Sequence, residues 1–150
     1  MSNYDALLLK NQLCFPLYAA SRQITRLYKP LLDPLDLTYT QYLVMMILWE
    51  EDTLTVSQIG EKLFLDSGTL TPLLKKLEAS GYVKRKRWDQ DERVVHVSLE
   101  PKGLELRDKA AEIPKELSRC INIPLKDQVQ LYKLLYSVLN MEDLCSEDPQ

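Results

Sequence analysis

The stretch from Leu54 to Ser98 restricts the fold more than any other part of the chain. Thr55 is followed three residues later by Gln58, the spacing of a capping box, and the pair opens a helix expected over residues 56–64. Leu65-Asp66-Ser67-Gly68 reads as a turn. A second helix is expected over residues 69–80, with Leu70, Leu73, Leu74 and Leu77 as its buried stripe and Gly81 as its stop. Pro72 falls early in that helix. Its ring crowds the carbonyl of Gly68, where a residue without a β-carbon adjusts most easily. Residues 82–87 and 94–99 then alternate in the manner of strands around a charged turn, Trp88–Glu92.

Two short helices and then a hairpin is the layout of a winged helix-turn-helix, so the expected fold class is α+β, mostly α. In that layout one helix enters the major groove of double-stranded DNA and the hairpin reaches an adjacent minor groove. The inward leucines leave Ser67, Gly68, Thr69, Thr71, Pro72 and Lys75 as the surface expected to meet DNA. The hairpin adds Arg87, Asp91 and Arg93. An arginine leaving a charged turn, oriented by acidic neighbours, can probe a minor groove whose negative potential attracts guanidinium. The alternative is a solvated hairpin that merely carries surface charge. The run Lys84-Arg85-Lys86-Arg87 is open to the same two readings, because strand alternation sends only half of it one way. His96 is expected on the outer face of the second wing strand, and Trp88 as a cap on the hairpin.

A net charge of −3 runs against nucleic-acid binding, but its distribution matters more than its sum. Residues 57–98 carry eight Lys/Arg against six Asp/Glu, so the excess acid lies elsewhere. A locally basic face on an acidic body suits salt-sensitive DNA binding and argues against indiscriminate coating. With 45% hydrophobic residues the chain can form a real core, and no apolar run reaches the length of a membrane span. The opening residues lack the features of a secretory leader, so the cytoplasm is the expected compartment. Cys14, Cys120 and Cys145 are widely separated and His96 is the lone histidine. That pattern supplies neither a zinc site nor a disulfide scaffold, and no metal or cofactor is expected.

The flanks read as helices. Apolar residues at helical spacing run from Leu13 to Tyr28, with Pro16 tolerable in a first turn, so order begins near Cys14. Pro30 and Pro34 punctuate the next segment. Thr38 to Thr40 offer a cap for a helix reaching about Glu50. Pro101 starts a helix running toward Cys120 with a kink at Pro114, and Pro124 starts a last one bearing Leu125, Val129, Tyr132, Leu135 and Leu139 along one seam. From Met141 to Gln150 a frayed tail is expected. The chain is expected to be one domain over 1–150, with a DNA-binding lobe at about 38–100 and dimerisation helices at about 9–30 and 101–145. The end helices carry more apolar surface than a small winged domain covers alone, which a homodimer would bury.

The segments Leu54 to Leu63, LDSGTLTPLLKKLEASGYVKRKR and DERVVHVSLEPKG resemble the MarR family of winged-helix repressors. Within it, NQLCFPLYAASRQITRLYKPLLDPLDLTYTQYLVM is similar to the organic hydroperoxide resistance regulators, and the likeness covers about residues 9 to 115. The resemblance implies a homodimeric repressor that leaves its operator when organic hydroperoxides oxidise a cysteine. The sensing cysteine matches Cys14. Two tyrosines that hydrogen-bond it from the other subunit match Tyr28 and Tyr39, and Tyr18 matches a further tyrosine nearby. Some members carry a second, resolving cysteine before the last helix; Cys120 lies about one position from that place, with Cys145 or a small thiol as alternatives.

The chemistry agrees. A thiolate attacks peroxide, a helix N-terminus lowers a thiol's pKa, and tyrosine hydroxyls donate to sulfur without adding charge. On the residues alone, the commoner fate of a free cysteine like Cys14 is that of a small buried hydrophobe. Two rivals remain: a MarR-type regulator that binds a small aromatic ligand between its lobes, and a thiol peroxidase on an incidental winged fold.

Overall fold

The structure is a computed structural model that describes residues 4–141. Apart from Met141, the expected tail, Cys145 included, lies outside the described residues. The chain divides after Leu117 into two compact units. The first contains helices α1 (Cys14–Leu32), α2 (Tyr39–Glu50), α3 (Val56–Leu63), α4 (Ser67–Ala79) and α5 (Pro101–Ala110), and strands β1 (Thr53–Thr55), β2 (Val83–Trp88) and β3 (Asp91–Leu99). Helix α6 (Ile113–Cys120) crosses the division, and α7 (Leu125–Leu139) belongs to the second unit. Single 3-10 turns occupy Asp5–Leu7, Leu9–Asn11 and Asp33–Leu35. The architecture is the expected one: mostly helical, with one small antiparallel sheet.

Local chemistry starts the helices. Both α2 and α3 open with full capping boxes. The Thr38 hydroxyl accepts from the Gln41 N–H while Gln41 Oε1 accepts from the Thr38 N–H at 2.9 Å. Thr55 and Gln58 repeat the exchange at 3.1 and 2.8 Å. Each box satisfies two backbone donors that a helix start otherwise leaves without partners. Helix α4 begins at Ser67, two residues before the expected start, because Asp66 caps it by accepting the Thr69 N–H at 2.7 Å. Gly81, at φ +79°, ends the turn after α4 in the left-handed conformation that glycine tolerates best.

The sheet is ordered β1-β3-β2, antiparallel throughout. Val97 sits at its centre, opposite Leu54 on one side and Arg85 on the other. The apolar side of the sheet meets α2, α3 and α4, where Val44, Leu48, Ile59, Leu70, Leu74, Val83 and Val97 are buried. Each such side chain stabilises the fold by roughly 1.5–3 kcal/mol through the water it sheds.

Four local expectations need correction. The first helix does not stop at Pro30 but continues to Leu32. Pro30 cannot donate to the Arg26 carbonyl, yet Leu32 is fully buried and Leu31 half-buried, and that burial offsets a cost of about 3 kcal/mol. The helix from Pro101 is not kinked at Pro114. It ends at Ala110 and restarts at Ile113, placing Pro114 in a first turn where its missing N–H costs nothing. The hairpin turn is shorter than expected: β3 begins at Asp91, paired with Trp88 past a bulge after Arg87. Finally, Thr53–Thr55 form a strand in which Thr53 pairs with Ser98 and Thr55 with His96, a meeting of distant segments that no local signal announces.

Candidate nucleic-acid interface and cysteine site

Helix α4 turns its leucines inward and leaves a polar face. Ser67, Gly68, Thr69, Pro72 and Lys75 are exposed and Thr71 is half-buried. The Thr71 hydroxyl donates to the Ser67 carbonyl at 2.7 Å, so its proton is turned back along the helix. The Thr69 N–H, donated to Asp66, holds that carboxyl below the usual carboxylate range. Between α4 and the hairpin runs an open groove of about 770 Å3, lined among others by Ser67, Thr71, Lys75, Arg85, Arg87 and Arg93. Five of the expected DNA-facing residues therefore converge on one groove, while Gly68, Thr69 and Pro72 lie on α4 outside its lining.

The wing arginines are held by short-range contacts. Arg93 donates through Nε and Nη2 to the two carboxylate oxygens of Asp91 at 3.1 and 3.2 Å, and its backbone N–H reaches the same carboxylate at 3.0 Å. Its side chain is nonetheless 91% exposed. These bonds from Arg93 hold the Asp91 carboxyl below its ordinary range. Arg87 Nη1 donates to the Glu92 carbonyl at 2.9 Å. The expected pairing of an arginine with an orienting acid is thus present as geometry. Arg85, from the basic run at 84–87, also lines the groove and forms an ion pair with Glu78 of α4. Nothing in the spacing of 78 and 85 signals that pair, because the turn at Gly81 must first bring strand back to helix. Trp88 stands at the wing tip, 44% exposed, edge-on to a half-buried His96 at 6.2 Å.

Cys14 is exposed and is the first residue of α1. Tyr18 stands one turn further on. Arg22, a turn beyond, donates to the Tyr18 hydroxyl at 3.3 Å and holds its guanidinium 5.6 Å from that ring. Positions 14, 18 and 22 share one face of the helix; the i+4 spacing from Tyr18 could have pointed to Arg22. Tyr28 and Tyr39 come together with ring centroids 4.6 Å apart, and Tyr42 joins them 5.7 Å from Tyr28. Burial, reinforced by Tyr39 and Tyr42, pushes the Tyr28 phenol up to about 12, and burial raises Tyr39 and Tyr42 as well. All three therefore keep their protons at neutral pH and can donate hydrogen bonds. The helical pattern gives Tyr42 no role beyond the core, and its place in this cluster comes from tertiary packing.

The chain does not bring Cys14 to these tyrosines by itself. Cys14 and Tyr28 are fourteen helical steps apart, about 21 Å along the axis. Cys120 is exposed at the end of α6. Leu13, Phe15, Leu17 and Tyr18 leave an apolar surface around Cys14, and α7 buries none of its residues. Among the described residues no helix is long and apolar enough to cross a membrane.

Comparison with known proteins gives consistent results. Residues 26–110 match the family model described as transcriptional regulator SarA/Rot. The chain is 49% identical over 138 residues to the organic hydroperoxide resistance transcriptional regulator of Bacillus subtilis strain 168, spanning 92% of this chain and 94% of that one. A span of that length in 150 residues necessarily includes Cys14 and every residue of the groove. Among solved structures, reduced AbfR bound to DNA superposes with a TM-score of 0.73 at 38% identity, covering 87% of this chain and 91% of its own. Disulfide-formed AbfR superposes at 0.64 and 37% identity, covering 88% and 93%. The family model and the Bacillus subtilis relative are described as transcriptional regulators, and reduced AbfR is captured on DNA.

Proposed function

The chain belongs to the MarR/SarA-type winged-helix transcriptional regulators, and on that premise we propose that it is a cytoplasmic homodimeric repressor released from its operator when an organic hydroperoxide oxidises Cys14. The observation that carries this reading is the placement of Cys14, an exposed thiol at the first position of α1, inside a span nearly half identical to a hydroperoxide resistance regulator. The reaction is a two-electron transfer. The Cys14 thiolate attacks the terminal peroxide oxygen, the O–O bond breaks, and the alkoxide leaves and takes a proton to become the alcohol. Sulfur becomes a sulfenic acid. That acid can condense with the thiol of Cys120 of the partner subunit, giving a disulfide and water. Without a reductant to restore Cys14 each subunit reacts once, which is the behaviour of a sensor.

Dimerisation supplies what one chain lacks. The apolar surfaces of α1 and α7 are of the kind a second copy buries. Tyr28 and Tyr39 of the partner subunit then donate to the thiolate that the same chain's tyrosines cannot reach. On DNA, α4 presents Ser67, Thr69, Thr71 and Lys75 to the major groove, with Gly68 and Pro72 shaping its approach. Arg87 and Arg93, the latter oriented by Asp91, serve the minor groove. The 38–100 lobe reads DNA, and the helices at 9–30 and 101–145 join the two lobes.

The test is a titration of operator binding with cumene hydroperoxide. Wild type should lose the operator as Cys14 is oxidised, and Cys14→Ser should bind and stay bound. A Cys14→Ser protein that is released like wild type places the reactive thiol elsewhere. Catalytic consumption of peroxide with a reductant would instead favour an enzyme.

A further inference from the structure

Two side-chain hydrogen bonds at the root of the wing join residues far apart in sequence. Trp49 of α2 donates its indole Nε1–H to the Gly103 carbonyl of α5 at 2.9 Å. Tyr82, which leads into β2, donates its hydroxyl to the Leu35 carbonyl at 3.4 Å. Between these anchors the backbones touch. A β-carbon on Gly103 would stand 2.2 Å from the Tyr82 carbonyl oxygen and 3.0 Å from Leu99 Cδ1. The Glu100 N–H donates to that same Tyr82 carbonyl at 3.0 Å. On its other side, Trp49 meets Tyr42 edge-on at 6.3 Å, and Tyr42 packs on Tyr28. Contact is therefore continuous from the tyrosine cluster to the base of both wing strands, through side chains as far as Trp49 and through backbone from Gly103 onward.

We propose that Trp49 is a positioning residue that couples the state of the Tyr28–Tyr39–Tyr42 cluster to the angle of the wing. The inference rests on the reading of Tyr28 and Tyr39 as donors to a partner's thiolate. When oxidation removes that acceptor, the phenols re-form their hydrogen bonds and the rings shift. Tyr42 passes the shift to the half-buried indole, whose single N–H is directed at Gly103. Gly103 has no slack against Tyr82, so the root of β2 and β3 follows. The six residues of β2 span roughly 20 Å, so a tilt of about 5° at the root moves the tip by nearly 2 Å. That displacement is enough to break a hydrogen bond from Arg93 to a base or sugar.

Trp49→Phe keeps the aromatic ring against Tyr42 and deletes the N–H. Three quantities are measured on wild type and variant: operator affinity when reduced, the rate of Cys14 oxidation by cumene hydroperoxide from mass spectrometry, and operator affinity when oxidised. The expected result is a reduced affinity and oxidation rate within about threefold of wild type, with the ratio of reduced to oxidised affinity falling at least tenfold. A ratio equal to that of wild type overturns the proposal, even if the variant is less stable. A wild type that keeps its operator after Cys14 is oxidised overturns the function first, and the coupling with it. A second measurement does not depend on the variant folding well. Trp88→Phe leaves Trp49 as the sole tryptophan, and its emission should shift on oxidation. Emission that stays fixed while DNA is released also sinks the proposal.

Discussion

Leu70, Leu73, Leu74 and Leu77 of α4 are all buried, whereas α7, with leucines at 125, 131, 134, 135 and 139, buries none of its residues. The two helices have the same apolar vocabulary and similar lengths. The difference is what surrounds them. Helix α4 packs within a lobe whose core is completed by the chain itself, from Val44 and Leu48 of α2 to Val97 of β3. Helix α7 has no such cover in one chain. Hydrophobic periodicity thus identifies which face is apolar and says nothing about whether the same chain covers it. One region has its core completed within the chain, and the other leaves exposed the apolar face that the proposed homodimer would cover.

The strongest way to break this contrast is to open the finished region. Leu74→Ala removes a fully buried side chain from the centre of the lobe and should cost about 2–5 kcal/mol of unfolding free energy in a urea titration. A loss no larger than that from the same substitution at an exposed α7 leucine would mean the lobe is not close-packed. Function in that region should be separable from stability. Arg93→Ala should weaken operator binding by about 1–3 kcal/mol, read by fluorescence anisotropy, and leave the urea midpoint unchanged because the side chain is exposed. Operator affinity equal to wild type would remove the wing from DNA recognition.

The unfinished region should respond through concentration. Tyr132→Ala on α7 should weaken self-association by about 1 kcal/mol or more in analytical ultracentrifugation, since aromatic side chains dominate interfaces. A sedimentation profile identical to wild type would exclude that face from the dimer. The smallest effect is electrostatic and local. Asp66 has its carboxyl held below the unfolded value by the Thr69 N–H. Its contribution to stability is therefore fully present above the unfolded pKa and is lost as pH falls through the folded one. Asp66→Asn preserves the cap but cannot titrate, so it should flatten the acid limb of the pH–stability curve below about pH 4. An acid limb superposing on wild type would show that the cap does not depend on charge.

What the sequence made legible was local. Thr38, Thr55, Gln58 and Gly81 act on neighbours within a few residues, so their effect is written beside them. The same holds for the leucine stripe of α4 and for Arg93 beside Asp91. What stayed hidden was distant. Strand β1 exists through its partners near residue 97, Pro30 remains helical because Leu32 reaches the core, and Arg85 finds Glu78 after a chain reversal. The proposed cysteine site can be listed from the sequence, residue by residue, but nothing within one chain assembles it. Cys14 and Tyr28 stand at opposite ends of one helix, and the sequence alone gives no reason for them to meet.

If Arg93 serves the minor groove as proposed, the Asp91 carboxylate bears on how the protein searches DNA. Free duplex carries a sheath of condensed cations, and a basic side chain gains affinity by expelling them. Arg93 arrives with its own anion attached at two points. It therefore displaces less of the sheath than an unaccompanied arginine, and the carboxylate is repelled by any phosphate it faces. Indiscriminate adhesion at the wing is weakened more than a fitted contact deep in a groove, where bases and sugars replace phosphates as neighbours. Such a wing slides lightly over the wrong sequence and settles where the groove is shaped to receive it.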